Sequence, residues 1–229
     1  MSRVLVAIDG PAGAGKSTVS RQLAERLGYR YVDTGAMYRV IGVLAAERGI
    51  DPANDQALAK LCDETAIEFN ENSGYVQTCA NGRDLSDRIR TPAAAQLASK
   101  VSAVPAVRER LVAKQRLMGA GGGVVMEGRD IGTVVFPDAP VKIFLDAAAA
   151  ERARRRNAEL HERATPADID RMAQEIAERD ARDRGRAHSP LRAAADAVVV
   201  DTTDKTIDEV VAMLAAIVAT RSAALASHN

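Results

Sequence analysis

Near the start of the chain, Gly10-Pro11-Ala12-Gly13-Ala14-Gly15-Lys16-Ser17 spells G-x-x-x-x-G-K-S, a spacing that builds phosphate chemistry into the backbone. The glycines let the chain turn tightly and aim successive N–H groups inward at phosphate oxygens. Lys16 reaches the β- and γ-phosphates, and Ser17 offers its hydroxyl to Mg²⁺. A helix opening at Ser17 and Thr18 points its positive end at the same phosphates. The bland alternative is a Gly-rich turn that binds nothing. It is set aside because Lys and Ser stand in register, with an apolar run before the loop and a helical pattern after it. Gly10 to Thr18 is therefore expected to hold the β/γ end of a nucleoside triphosphate, and Ser17 to hold Mg²⁺ together with nucleotide phosphates and water.

The loop leaves the destination of the γ-phosphoryl open, since GTPases, motors and small-molecule kinases all use it. A GTPase needs a guanine-reading N-K-x-D. The nearest string here, Thr202-Thr203-Asp204-Lys205, lacks it. A motor ATPase needs a longer chain with sensor motifs of its own, so transfer to a small acceptor is favoured. Asp33-Thr34-Gly35-Ala36-Met37-Tyr38-Arg39 puts a hydroxyl and an arginine after one apolar run, and Glu127-Gly128-Arg129-Asp130-Ile131-Gly132-Thr133 puts a charged pair after another. Ligands of open α/β folds collect where such runs end. Thr34 reads either as a ligand hydroxyl or as a helix cap, and the glycines around Arg129 and Asp130 suggest a loop wrapped about a ligand.

The elements that must position these residues are legible from the pattern. Short apolar runs at Val4–Ile8, Tyr29–Val32, Val124–Met126, Val141–Leu145 and Ala197–Val200 alternate with helix-period stretches, the rhythm of a parallel sheet with crossover helices. Ile67-Glu68-Phe69, Tyr75-Val76-Gln77 and Arg83-Asp84-Leu85 break that rhythm. The turn signals Asn72-Ser73-Gly74 and Asn81-Gly82 separate them, so residues 63–90 read as a small antiparallel meander. Thr91-Pro92 and Pro105 start two helices, and Thr165-Pro166 starts another that reaches Gly185. Ser222–Asn229 is the one tract that reads as disordered.

Composition narrows the partners. Of 229 residues, 31 are Lys or Arg and 31 are Asp or Glu, so net charge is zero and any anion recognition is local. Cys62 and Cys79 lack metal-ligand spacing and read as reduced thiols. The start of the chain has no signal-peptide pattern, and no run of about 18 apolar residues occurs. The expectation is a cytoplasmic protein without membrane or nucleic-acid partners.

GPAGAGKS, DTGAMYR, EGRDIGTVVFPDAPVKIFLDA and ERDARDRGR, in this order, resemble the bacterial cytidylate kinase family of nucleoside monophosphate kinases, over nearly the whole chain. The resemblance implies an α/β P-loop core with a five-stranded parallel sheet, a monophosphate-binding β insertion and a short arginine-bearing lid. On that pattern the core is 1–62, 91–150 and 165–229, the insertion 63–90 with following helices to 119, and the lid 151–164. It further implies Arg39 and Arg129 on the acceptor phosphate, Ser99, Arg108 and Asp130 on the cytosine ring, and Arg179, Asp183 and Arg186 on the sugar side. Thr34 is the departure, since serine is the family's residue there. The hydroxyl is kept and a methyl is added beside the ligand.

The residues support two of the assignments that the resemblance implies. Cytosine offers an amino donor beside ring acceptors, which suits a carboxylate paired with an arginine or hydroxyl. Ile169, Met172 and Ile176 mark an apolar stripe that continues onto Arg179 and Asp183, so Arg179 is expected to hold Asp183 ionised toward a ribose hydroxyl. A buried ion pair that merely staples the helix is the competing reading. Arg152, Arg155 and Arg156, in a run that reaches Arg163, read either as a solvated or polyanion-binding face or, beside a phosphate loop, as lid cations on the transferring group. The expected reaction is phosphorylation of CMP and dCMP by ATP, with Lys16, Arg129 and lid arginines neutralising charge, by a monomer. The alternatives are a P-loop kinase for UMP or another acceptor, and an RNA-associated NTPase.

Overall fold

A computed structural model describes residues 3–72, 75–159, 165–186 and 188–227. Its elements, in chain order, are β1 (Leu5–Asp9), α1 (Lys16–Leu27), β2 (Arg30–Asp33), α2 (Thr34–Glu47), α3 (Asp55–Glu64), β3 (Ile67–Asn72), β4 (Tyr75–Ala80), β5 (Arg83–Asp84), α4 (Pro92–Val101), α5 (Pro105–Gly119), β6 (Val124–Gly128), β7 (Val141–Asp146), α6 (Ala149–Glu159), α7 (Pro166–Arg184), β8 (Val198–Asp201) and α8 (Ile207–Ala226). The chain falls into two compact units, Met1–Val32 with Gly119–Asn229, and Asp33–Met118.

In the first unit the sheet runs β2-β6-β1-β7-β8, as the α/β reading expects. β1 pairs in parallel with β6 and β7, and β7 with β8. Every residue of β1 and β6 is buried. Strands covered on both faces need continuous apolar runs, which is why periodicity found these. The register sets Asp9 level with Gly128 and Phe144, and Asp146 level with Asp201, so the loops that follow share the carboxyl edge. α8 continues through Ala226, where disorder was expected from Ser222. A capping box at Thr206 and Glu209 starts that helix, and Val210, Val211, Leu214 and Val218 bury one face of it.

The second unit holds an antiparallel sheet, β3-β4-β5. β4 meets β5 across Asn81, whose φ of 50° asparagine tolerates. The other expected turn includes residues 73–74, which lie outside the described residues. Met37, Ile41, Leu58, Leu61, Leu85 and Leu111 are among the members of a continuous apolar cluster beneath the meander. Thr91 caps α4 through Ala94 N–H with Pro92 in the first turn, and Thr165 with Asp168 forms a capping box on α7 in the first unit, both at the expected positions. Among the described residues no helix is long and apolar enough to cross a membrane.

Candidate phosphate-transfer site

The loop between β1 and α1 approaches its neighbours too closely for side chains. A Cβ on Gly10, at φ 152°, would lie 2.1 Å from the carbonyl oxygen of Leu145 on β7. Lys16 opens α1, is 6% exposed, and donates from Nζ to the carbonyl of Pro11 at 2.6 Å. Burial pushes its pKa down to about 7, and the charges of Arg129 and Arg179 push the same way against Glu127 and Asp9. The structure thus brings Lys16, Arg129 and Arg179 into one electrostatic neighbourhood. Ser17 follows on the exposed side of the helix start.

Asp9 and Glu127 are carboxylates to which the sequence reading gave no part. Asp9 accepts the N–H groups of Ile131 and Gly132 at 2.8 Å each. Burial raises its pKa to about 6, against the lowering effect of those two hydrogen bonds. These bonds pin the segment after Arg129 and Asp130 onto the strand that enters the phosphate loop. That segment is a single wide helical turn, Ile131–Val135, closed by Val135 N–H on Asp130 O and Phe136 N–H on Ile131 O. The ligand-wrapping loop expected here is therefore a fastened turn. Glu127 is buried on β6 and accepts a hydrogen bond from the Tyr31 hydroxyl.

Arg129 donates from Nε to Asp183 at 3.3 Å and from Nη1 to Gly128 O at 3.1 Å. Asp183, 1% exposed, also pairs with Arg186. Asp183 thus pairs with two arginines that were not expected as its brace, because Arg186 lies one turn on along the chain and β6 delivers Arg129 from the sheet edge. The inward stripe of α7 also carries Asp180, four residues past Ile176, a position as legible by helical spacing as Asp183.

The α6 arginines are committed to more than solvent. Arg152, expected among the lid cations, is buried and ion-paired with Asp180, and it donates to the carbonyls of Ala12 and Ala147 at 3.0 Å. Arg155 binds Glu151 at 3.0 Å, and Thr202 through its hydroxyl at 2.9 Å and its carbonyl at 2.6 Å. Thr202 in turn donates to the carbonyl of Ala14 in the phosphate loop at 3.4 Å. The string that failed as a guanine reader thus braces the loop. Arg156 is half-buried on the same helix, and Arg163 lies outside the described residues.

In the unit Asp33–Met118, Asp33 caps α2 by accepting Ala36 N–H at 2.9 Å. This corrects the cap reading of Thr34, which is the first helical residue and is buried. The second oxygen of Asp33 pairs with Arg39 at 2.6 Å. Ser99 and Arg108 meet through Ser102, whose hydroxyl donates to Ser99 O at 3.0 Å and whose carbonyl accepts Arg108 Nη1 at 3.4 Å. The Arg108 guanidinium lies 5.7 Å from the centre of the Tyr38 ring.

Among the described residues no group of three or more His, Cys, Asp or Glu stands together to hold a metal ion. A divalent ion here would have Ser17 and substrate phosphates as its ligands, which suits the water-rich coordination of Mg²⁺.

A family model described as cytidylate kinase matches residues 6–220. A curated cytidylate kinase from Geobacter sulfurreducens is 50% identical over 221 residues, covering 96% of this chain and 95% of that protein. One from Geobacillus thermodenitrificans is 49% identical over 216 residues, covering 94% and 96%. A solved gluconokinase from Sinorhizobium meliloti 1021 shares the fold at 16% identity and a TM-score of 0.53, over 100% of this chain and 98% of its own.

Proposed function

The chain belongs to the cytidylate kinase family, and from that premise we propose that it transfers the γ-phosphoryl group of ATP to the phosphate of CMP and dCMP, giving ADP and CDP or dCDP for pyrimidine nucleotide metabolism. The observation that carries the reading is the phosphate loop itself, which ends in Lys16, buried at the start of α1 with its ammonium on the carbonyl of Pro11. Positive charge from Arg129 and Arg179 is felt at that lysine, and such a field suits two phosphate groups brought end to end.

An oxygen of the acceptor phosphate attacks the γ-phosphorus in line, and the bond from that phosphorus to the β–γ bridging oxygen breaks, leaving ADP. The nucleophile is already ionised, so the chain needs no general base. Its work is positioning and neutralising the charge on the equatorial oxygens. Backbone N–H groups of Gly13 to Thr18, Ala14 among them, cradle the triphosphate, and Gly10, Pro11 and Ala12 shape the turn that leads into them. Lys16 follows the β/γ end. Arg129 serves the acceptor phosphate and the transferring group, and Arg155 and Arg156 on α6 add lid charge. Mg²⁺, held by Ser17 and the phosphates, supplies further neutralisation of the triphosphate when bound.

On the acceptor side, Arg39 receives the phosphate, with Thr34 beside it. Ser99, Arg108 and Asp130 read the cytosine edge, and Arg179, Asp183 and Arg186 hold the sugar. The buried, free Cys62 and Cys79 fit a reducing compartment, and we place the enzyme in the cytoplasm as a monomer acting on free nucleotides. Incubation of the purified chain with ATP, Mg²⁺ and CMP, followed by chromatography, should yield CDP and ADP in equal amounts. ADP formed without CDP would reject the acceptor assignment.

A further inference from the structure

α7 buries two aspartates three residues apart, and each is bound by a different part of the first unit. Asp183 is shared by Arg129 and Arg186. Asp180, 2% exposed, accepts the N–H of Ala12 through Oδ1 at 3.3 Å and pairs with Arg152 through Oδ2. Arg152 closes the ring by donating to the carbonyl of the same Ala12. One buried ion pair thus takes up both backbone polar groups of a residue in the phosphate loop. The next residue is seated just as tightly, since a Cβ on Gly13 would lie 2.8 Å from the Arg152 carbonyl oxygen.

A buried ion pair is a weak way to stabilise a fold, because desolvation offsets most of its attraction. Here the pair also spends hydrogen bonds on the backbone of Ala12 and Ala147 beyond the one that joins α6 to α7. We infer that Asp180 is a positioning residue of the phosphate loop: with Arg152 it fixes Ala12 so that the N–H groups after it face the triphosphate. It also ties that loop to Asp183, one turn away on the same stiff helix. Donor and acceptor binding are thereby coupled, so that CMP raises the affinity for ATP and, by reciprocity, ATP raises that for CMP. The inference rests on the proposed ATP site and on Asp183 as an acceptor-side residue.

The test is calorimetric titration of the wild type, D180N and D180A with the Mg²⁺ complex of β,γ-imido-ATP, each with and without CMP, alongside melting temperatures. In D180A the analogue should bind about tenfold more weakly, since loss of loop geometry is felt directly at the ligand. CMP alone should change by less than about twofold, and the gain in analogue affinity from CMP should vanish. D180N keeps the shape and one acceptor for Ala12 while losing the charge pair. It should show the same pattern at about threefold or more, and it carries the test if D180A does not fold. Variants that melt lower yet bind both ligands as the wild type does, with the gain from CMP intact, would make the pair a structural staple and overturn the inference. A wild type that fails to bind the analogue would instead overturn the proposed ATP site.

Discussion

The two compact units treat buried charge in opposite ways. In the unit with the five-stranded sheet, Asp9, Lys16, Glu127, Asp130, Lys142, Arg152, Asp180 and Asp183 are all buried, whereas Arg108 is the one buried charged side chain among the described residues of Asp33–Met118. Removing a charge from water costs several kcal/mol. A fold gains little from doing so repeatedly unless the charges must be aimed at something. The second unit is instead an apolar cluster with buried hydroxyls at Thr34, Ser99 and Ser102. In the proposed reaction the first unit supplies the field for phosphoryl transfer together with the sugar-side group, and the residues of the second act in recognition alone, with hydroxyls and few cations.

The contrast breaks most visibly at Lys16. Lys16→Ala should lower kcat on the order of 10³-fold, the scale of losing a preorganised charge at the reacting group. Its melting temperature should stay at or above the wild-type value, because a buried ammonium held well below its ordinary pKa is a cost to the fold. A variant that turns over at the wild-type rate would remove the loop from the mechanism. In the second unit the expected effect is on recognition. Arg108→Ala should raise KM for CMP by about 1.5–3 kcal/mol, the range for a hydrogen bond to a charged group, with KM for ATP nearly unchanged. Asp130→Asn, in the first unit, should behave alike if the proposed reading of the base is right. Equal losses for both substrates would erase the distinction between transfer and recognition.

Asp183→Ala sharpens the comparison within the acceptor. If its carboxylate serves the 2′-hydroxyl, CMP loses about 1–3 kcal/mol more than dCMP; service to the 3′-hydroxyl lowers both together. A lower melting temperature with unchanged Michaelis constants for both nucleotides would reduce Asp183 to a staple. The smallest effect is in protons. Lys16 in the empty protein is pushed down to about 7 by burial, and a bound triphosphate should return it toward 10.5. Binding then takes up a proton above pH 7, approaching one at pH 8, and ATP affinity falls as pH rises. Calorimetry in buffers of different ionisation heat reads this count, and zero uptake at pH 8 would contradict it. Without nucleotide the sign is the other way for stability. Between pH 7 and 10.5 the unfolded chain binds the proton that folded Lys16 lacks, so folding strengthens as pH rises.

Much of this architecture was legible because it rests on local signals. The strands of the parallel sheet are continuous apolar runs, the helix starts at Thr91 and Thr165 carry capping residues followed by proline, and the loop motif encodes its own geometry. What escaped depends on contacts between distant segments. Nothing near Asp9 announces that it holds the N–H groups of Ile131 and Gly132, and nothing in Thr202 announces that it supports Ala14 and binds Arg155. Asp33 took the cap that was one of two readings of Thr34, because one of its two carboxylate oxygens accepts Ala36 N–H while the other binds Arg39. Asp180 is the case where a signal existed, in the spacing from Ile176, and only the partner Arg152 was out of reach of a one-dimensional reading.

The central claim, that the chain phosphorylates a cytosine monophosphate, is tested most directly by kcat/KM for CMP, dCMP, UMP, AMP and GMP under one saturating concentration of ATP and Mg²⁺. CMP and dCMP should lead the purines by about 10³-fold or more and UMP by about 10²-fold, since uracil presents Asp130 with an acceptor where cytosine presents a donor. Comparable values across the five nucleotides would contradict it.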